Sequence, residues 1–144
     1  MRSITTYSND AHRAEVVRLW EAVFAYKEVH NQAGVSIDRK LAVNDGLFFV
    51  ALDQDRVVGT VLAGYDGHRG WLYSVAVHPS FARQGIGTDL VRHAERALFD
   101  RGCVKINLQI RGGNESVTGF YESLGYVVEP RVSLGKLAPC IIPK

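Results

Sequence analysis

The run Arg83-Gln84-Gly85-Ile86-Gly87-Thr88 carries the most chemical information in the chain. Two glycines separated by one residue, between a strand exit and a helix start, let successive backbone N–H groups converge with no Cβ in the way. The first N–H groups of the following helix have no intrahelical partner, and the positive end of its macrodipole adds to their attraction for an anion. Such a nest binds phosphate, with Arg83 as an added charge, although the same residues also make an ordinary glycine turn that holds nothing. A triphosphate loop needs GxxxxGK[ST], and no lysine follows Gly87. A dinucleotide fingerprint needs a third glycine where Leu90 stands. Both of those ligand classes are disfavoured.

The turn requires a strand before it and a helix after it, and the pattern supplies both. Trp71–His78 reads as a strand, and Ile86, Leu90, Ala94, Ala97 and Leu98 fall on one face of a helix that ends at Gly102. Cys103–Ile110 reads as the next strand, so a parallel right-handed crossover joins the two. Upstream, Ile4–Tyr7, Leu47–Leu52 and Val57–Tyr65 are strand-like, the last two separated by the turn Asp53-Gln54-Asp55-Arg56. Ser8-Asn9-Asp10 caps a helix carrying Val16, Leu19, Trp20, Val23 and Phe24. Ser36 caps a second, short helix through about Val43, with Ile37, Leu41 and the Lys40 stem inward, and Tyr26–Val35 is a loop. A last helix, about Glu115–Leu124, closes at Gly125, and Tyr126–Glu129 and Arg131–Gly135 read as terminal strands. The fold class is therefore α/β in the mixed α+β sense: a mostly antiparallel sheet with one parallel pair and helices on both faces.

Composition bounds the rest. A chain of 144 residues fits one domain, residues 1–144. Seventeen Lys and Arg against fifteen Asp and Glu give a net charge of +2, far from the basic excess of a nucleic-acid binder. Cys103 and Cys140 stand alone without CxxC or His/Cys spacing, so neither a disulfide framework nor a metal site is expected, and a reducing cytoplasm fits. No apolar run has the length of a membrane span, and the start lacks a signal-peptide core.

Val75-Ala76-Val77-His78-Pro79, the glycine turn, Asn114 and Phe120-Tyr121-Glu122-Ser123-Leu124-Gly125-Tyr126 together resemble the GCN5-related N-acetyltransferase (GNAT) family. The resemblance spans Leu47 to Gly135 by motif and the whole chain by element order. Gly64-Tyr65-Asp66-Gly67-His68-Arg69-Gly70 further looks like the bacterial YpeA-like branch. The resemblance implies acetyl-CoA as cofactor, with coenzyme A as product. It implies that the amides of Arg83, Gln84, Gly85, Ile86, Gly87 and Thr88 hold the pyrophosphate. It also implies that the Trp71–His78 strand splays from its parallel neighbour, so that pantetheine pairs with backbone around Val75, Ala76 and Val77. Asn114 matches the family's pantetheine-contacting asparagine, and Tyr121, seven residues later, matches the tyrosine that protonates the departing thiolate. The family's usual Arg or Gln three residues before the first motif glycine is Ala82 here.

On the acceptor side, Trp20, Phe24 and Tyr26 resemble the family's acceptor helix, or make a core stripe. Asp66 and His68 line a pocket or merely reverse the chain, and Tyr73 completes the acceptor candidates. Two positions that often carry glutamate in the family hold Trp71 and Gln109, and neither is a base. An α-amine, of a small molecule or peptide, then suits the site better than a lysine unless Asp66, His68, Glu21 or Glu28 supplies the missing base, and the amine attacks the thioester directly with no covalent enzyme intermediate. The alternative is an acyl-CoA-binding regulatory module with little or no catalysis, and a homodimer is left open.

Overall fold

The computed structural model describes residues 1–24 and 32–139. The chain divides into two compact units, Met1–Leu108 and Gln109–Lys144. The first holds a five-stranded sheet in the order β1-β2-β3-β4-β5, formed by β1 (Arg2–Thr6), β2 (Phe48–Asp53), β3 (Arg56–Tyr65), β4 (Gly70–Val77) and β5 (Ile106–Leu108). Neighbours from β1 to β4 are antiparallel, and β4 and β5 are parallel, as the pattern predicts. The β2–β3 hairpin turns through Gln54 and Asp55, both in the left-handed region at φ 51° and 67°, the geometry whose twist matches flanking strands.

Helices cover both faces. Helix α1 (Asn9–Val23) buries His12, Val16, Leu19 and Trp20, a helical stripe, and packs with α2 (Ala33–Val43) on β3 and β4. Tyr7, Phe48, Val50, Leu62 and Ala76 complete that core. Helix α3 (Ile86–Phe99) lies on the sheet with Ile86, Leu90, Val91, Ala94 and Leu98 buried. Its approach is so close that a Cβ on Gly59 of β3 would stand 2.8 Å from Leu90 Cδ1.

Three expectations are corrected. Helix α2 starts at Ala33, with Gln32 as its cap, because Ala33 and Ile37 bury together one turn apart and the Ser36 amide already donates to the Gln32 carbonyl at 2.9 Å. Strand β5 is only three residues long: the chain leaving α3 is still turning at Cys103, whose amide donates to the Leu98 carbonyl. Residues 126–135 form no strands. Val127, Val128, Val132 and Leu134 are exposed, and the second unit offers them no strand to pair with among the described residues.

The second unit is built on a short 3-10 turn (Glu115–Val117) leading into α4 (Thr118–Ser123), closed by Gly125 at φ 99°.

Candidate active site

β4 leaves the sheet at Val77, and a 3-10 turn at Pro79–Phe81 comes next, capped by His78, whose Nδ1 accepts the Ser80 amide at 3.1 Å. The chain then alternates into the left-handed region at Arg83 (φ 63°) and Gly85 (φ 82°) before α3 begins at Ile86. That alternation turns successive amides to one side, which is how a backbone nest is made. None of the amides from Arg83 to Thr88 donates to a carbonyl or side chain among the described residues; the first helical bond is Asp89 N–H to the Gly85 carbonyl at 3.0 Å. Donors are therefore presented where the sequence predicts an anion site. The Ile86 side chain is buried in the core, so its amide is what it offers. Arg2, from β1, donates to the Gln84 carbonyl at 3.2 Å and to the Gln84 side-chain oxygen, tying the turn to β1. Sequence reading missed Arg2, since nothing local ties residue 2 to residue 84.

Beside the turn, the sheet opens. β5 pairs with β4 only from Gly70 to Leu72, so the β4 edge from Tyr73 to Val77 has no ladder partner on that side. On the other side the His78 amide donates to the Val58 carbonyl at 2.8 Å. Strand alternation then turns the Val77 and Val75 amides toward the free edge. A bulge in β4 interrupts its pairing with β3 between Thr60 and Leu62, with Ser74 at φ 48°. The Ala76 side chain is buried in the α1/α2 core, which leaves only its backbone for a ligand.

Trp20 is corrected from acceptor candidate to core residue: it is fully buried, and its indole N–H donates to Thr60 Oγ1 at 2.8 Å, leaving no surface for a substrate. Tyr26 and Glu28 lie outside the described residues. Asp66 builds the β3–β4 turn. One carboxylate oxygen accepts the His68 and Arg69 amides, both at 2.7 Å, and the other accepts the Trp71 indole at 3.2 Å. Those bonds, the Arg69 amide first, hold its pKa below the ordinary carboxylate value and make it a poor proton acceptor. His68 is exposed beside Arg69. Tyr73 is exposed on β4, with the Lys40 ammonium 5.5 Å from its ring centroid. Lys40 is buried and satisfied by Asp45 Oδ2 at 2.9 Å and the Ala63 carbonyl. The sequence shows Lys40 only as an inward stem; a lysine at a buried helical position followed by Asp45 is the available signal.

Cys103 is buried, and its thiol donates to the Lys105 carbonyl at 3.2 Å. Among the described residues no group of three or more His, Cys, Asp or Glu side chains is placed to hold a metal ion. No helix there is long and apolar enough to cross a membrane.

In the second unit, exposed Asn114 precedes the 3-10 turn, its amide donating to the Arg111 carbonyl at 3.0 Å. Tyr121 lies on α4 with edge-on ring contacts to Phe120 at 4.9 Å and Tyr126 at 5.8 Å. Burial raises its phenol pKa, which keeps it a proton donor at neutral pH. Gln109 gives its amide to Ser133 Oγ at 2.7 Å.

The fold is thus a mixed sheet whose parallel pair parts after three residues beside a turn of unengaged amides. Residues 12–126 match the acetyltransferase (GNAT) family, and the chain belongs to it. Acetyltransferase YE1169 of Yersinia enterocolitica is 40% identical over 122 residues, 85% of this chain and 86% of that one. Acetyltransferase SG1711 of Sodalis glossinidius is 42% identical over 120 residues, 83% and 84% of the two chains. The crystal structure of Ard1 from Thermoplasma volcanium shares the fold, with a TM-score of 0.78 over 89% of this chain and 84% of its own at 19% identity. The protein is thus an acetyltransferase, an N-acyltransferase of a family that uses acyl-CoA and an amine acceptor.

Proposed function

We propose that the chain transfers the acetyl group of acetyl-CoA to an amine by direct attack, with residues 1–144 acting as one N-acetyltransferase domain in the cytoplasm. The family match across 12–126 runs past the boundary at Leu108 into the second unit, which supports the single-domain reading. The Gly64–Gly70 segment is the feature that supports the YpeA-like branch.

The observation that carries the proposal is the set of unengaged amides from Arg83 to Thr88 beside the free edge of β4. Diphosphate oxygens accept from the former, and pantetheine amides pair with Val75 and Val77 on the latter, as an added strand would. Asn114 contacts pantetheine and Tyr121 protonates the leaving thiolate. The thioester carbonyl is polarised by β4 backbone near Val75–Val77, so binding, orientation and electrostatics do most of the catalytic work.

The acceptor is an α-amine, of a small molecule or a peptide, in preference to lysine. Deprotonating a lysine of pKa about 10.4 at pH 7 costs about 4.6 kcal/mol, against about 1 kcal/mol for an α-amine. Trp71 and Gln109 are not bases, and the turn bonds of Asp66 make it a poor proton acceptor, which supports the α-amine reading. Tyr73 and His68 face the acceptor. The test is turnover of free amino acids and peptide N-termini against lysine peptides whose N-termini are blocked, by mass detection of products. Faster α-amine turnover at pH 7 is expected, and faster lysine turnover overturns the preference.

A further inference from the structure

We propose that Thr60 is a positioning residue for coenzyme binding: its hydroxyl holds the Ser74 carbonyl in the β4 bulge and so fixes which way the amides of Val75 and Val77 face. This rests on the coenzyme site proposed above.

The register passes from Thr60↔Ala76 to Leu62↔Tyr73, two steps along β3 against three along β4, so the extra residue lies at Ser74–Val75. An inserted residue leaves a backbone group without a ladder partner, and a carbonyl withdrawn from water favours finding another. The Ser74 carbonyl finds Thr60 Oγ1 at 2.9 Å. The same hydroxyl accepts from Trp20 Nε1 at 2.8 Å, across 40 residues of sequence. Thr60 and Trp20 have no exposed surface. An indole N–H is only a donor and a hydroxyl has a single proton, so the direction of this relay is fixed. Trp20 gives to Thr60, and Thr60 gives to Ser74.

Ser74 sits at φ 48°, where a residue with a Cβ stays only if its surroundings hold it. Without the Thr60 hydroxyl, the buried indole N–H and the carbonyl of half-buried Ser74 both lose their partner. The structure relieves this by slipping the bulge, and a slip of one residue exchanges the faces and edges of every later residue in the strand. The amides of Val75 and Val77 would then turn away from the opening beside β5. Valines stand at 57, 58 and 61 on the same strand, so packing alone gives no reason for a hydroxyl at 60.

The test is calorimetric titration of coenzyme A into the wild type, Thr60→Val, Thr60→Ser and Val16→Ala, with melting temperatures for all four. Thr60→Val is expected to raise the dissociation constant about tenfold, the size of one lost hydrogen bond. Thr60→Ser keeps the hydroxyl and is expected to restore wild-type affinity. Val16→Ala, a truncation in the same core that leaves the Thr60 hydroxyl and its two bonds in place, lowers the melting temperature and leaves the affinity as it was. Thr60→Ala, which cannot overpack, gives the same reading if the valine variant does not fold. Wild-type affinity in a folded Thr60→Val or Thr60→Ala protein that melts lower overturns the role of Thr60. A wild type that does not bind coenzyme A overturns the proposed function itself.

Discussion

Replacing Gly85 by alanine isolates the backbone of the anion turn. Gly85 caps α3 at φ 82°, and a Cβ built there meets nothing within 4 Å, so steric overlap contributes nothing. What remains is the preference of an L-residue against the left-handed region, about 1–2 kcal/mol. If the turn holds its shape, that whole amount is lost from stability and the melting temperature falls. If the turn relaxes, the folded state is spared and the amides of residues 83–88 no longer converge. The same 1–2 kcal/mol then appears as coenzyme affinity weakened roughly five- to thirtyfold. Thermal melts with and without coenzyme A, paired with calorimetry, separate the two routes. Unchanged stability together with unchanged affinity would refute the reasoning, because the cost has nowhere else to go.

Ala82→Arg restores the side chain usual in the family at an exposed position and is expected to leave coenzyme affinity intact or improve it; a large loss by calorimetry would contradict the register assigned to the turn. Tyr121→Phe is expected to lower kcat by roughly a hundredfold, the low end of general-acid contributions, with little change in the acetyl-CoA KM. Because burial raises the Tyr121 pKa above the ordinary phenol value, no loss of wild-type rate from this group is expected between pH 7 and 9. His93 packs edge-on against Phe49 at 4.5 Å, and burial, then Arg96, hold its pKa below the ordinary 6.5. The unfolded chain therefore binds that proton more readily. The stability His93 contributes is present above pH 6.5 and lost as pH falls below it. His93→Gln is expected to show a smaller drop in melting temperature between pH 7.5 and 5.5, and an undiminished drop would refute this assignment.

Glycine spacing and apolar period are local signals, and they made the nest, the meander and the crossover helix legible. The bulge was hidden because Tyr73-Ser74-Val75-Ala76-Val77 reads as plain alternation, and one inserted residue leaves no mark in a period of two. The bonds of Trp20 to Thr60 and of Arg2 to Gln84 join residues 40 and 82 positions apart, and no spacing rule reaches that far. Ser36 looks like a cap, but burial of Ala33 with Ile37 set the start of α2 earlier. Terminal strands were expected from β-branched residues at 127, 128 and 132, yet a strand exists only where an edge receives it.

Amide-resolved NMR titration with acetyl-CoA tests the central claim most directly. The largest shifts are predicted at the amides of Arg83 to Thr88, with a second group at Val75 and Val77. Saturable binding that leaves both groups unmoved while others shift would contradict the assignment of the turn as the diphosphate grip.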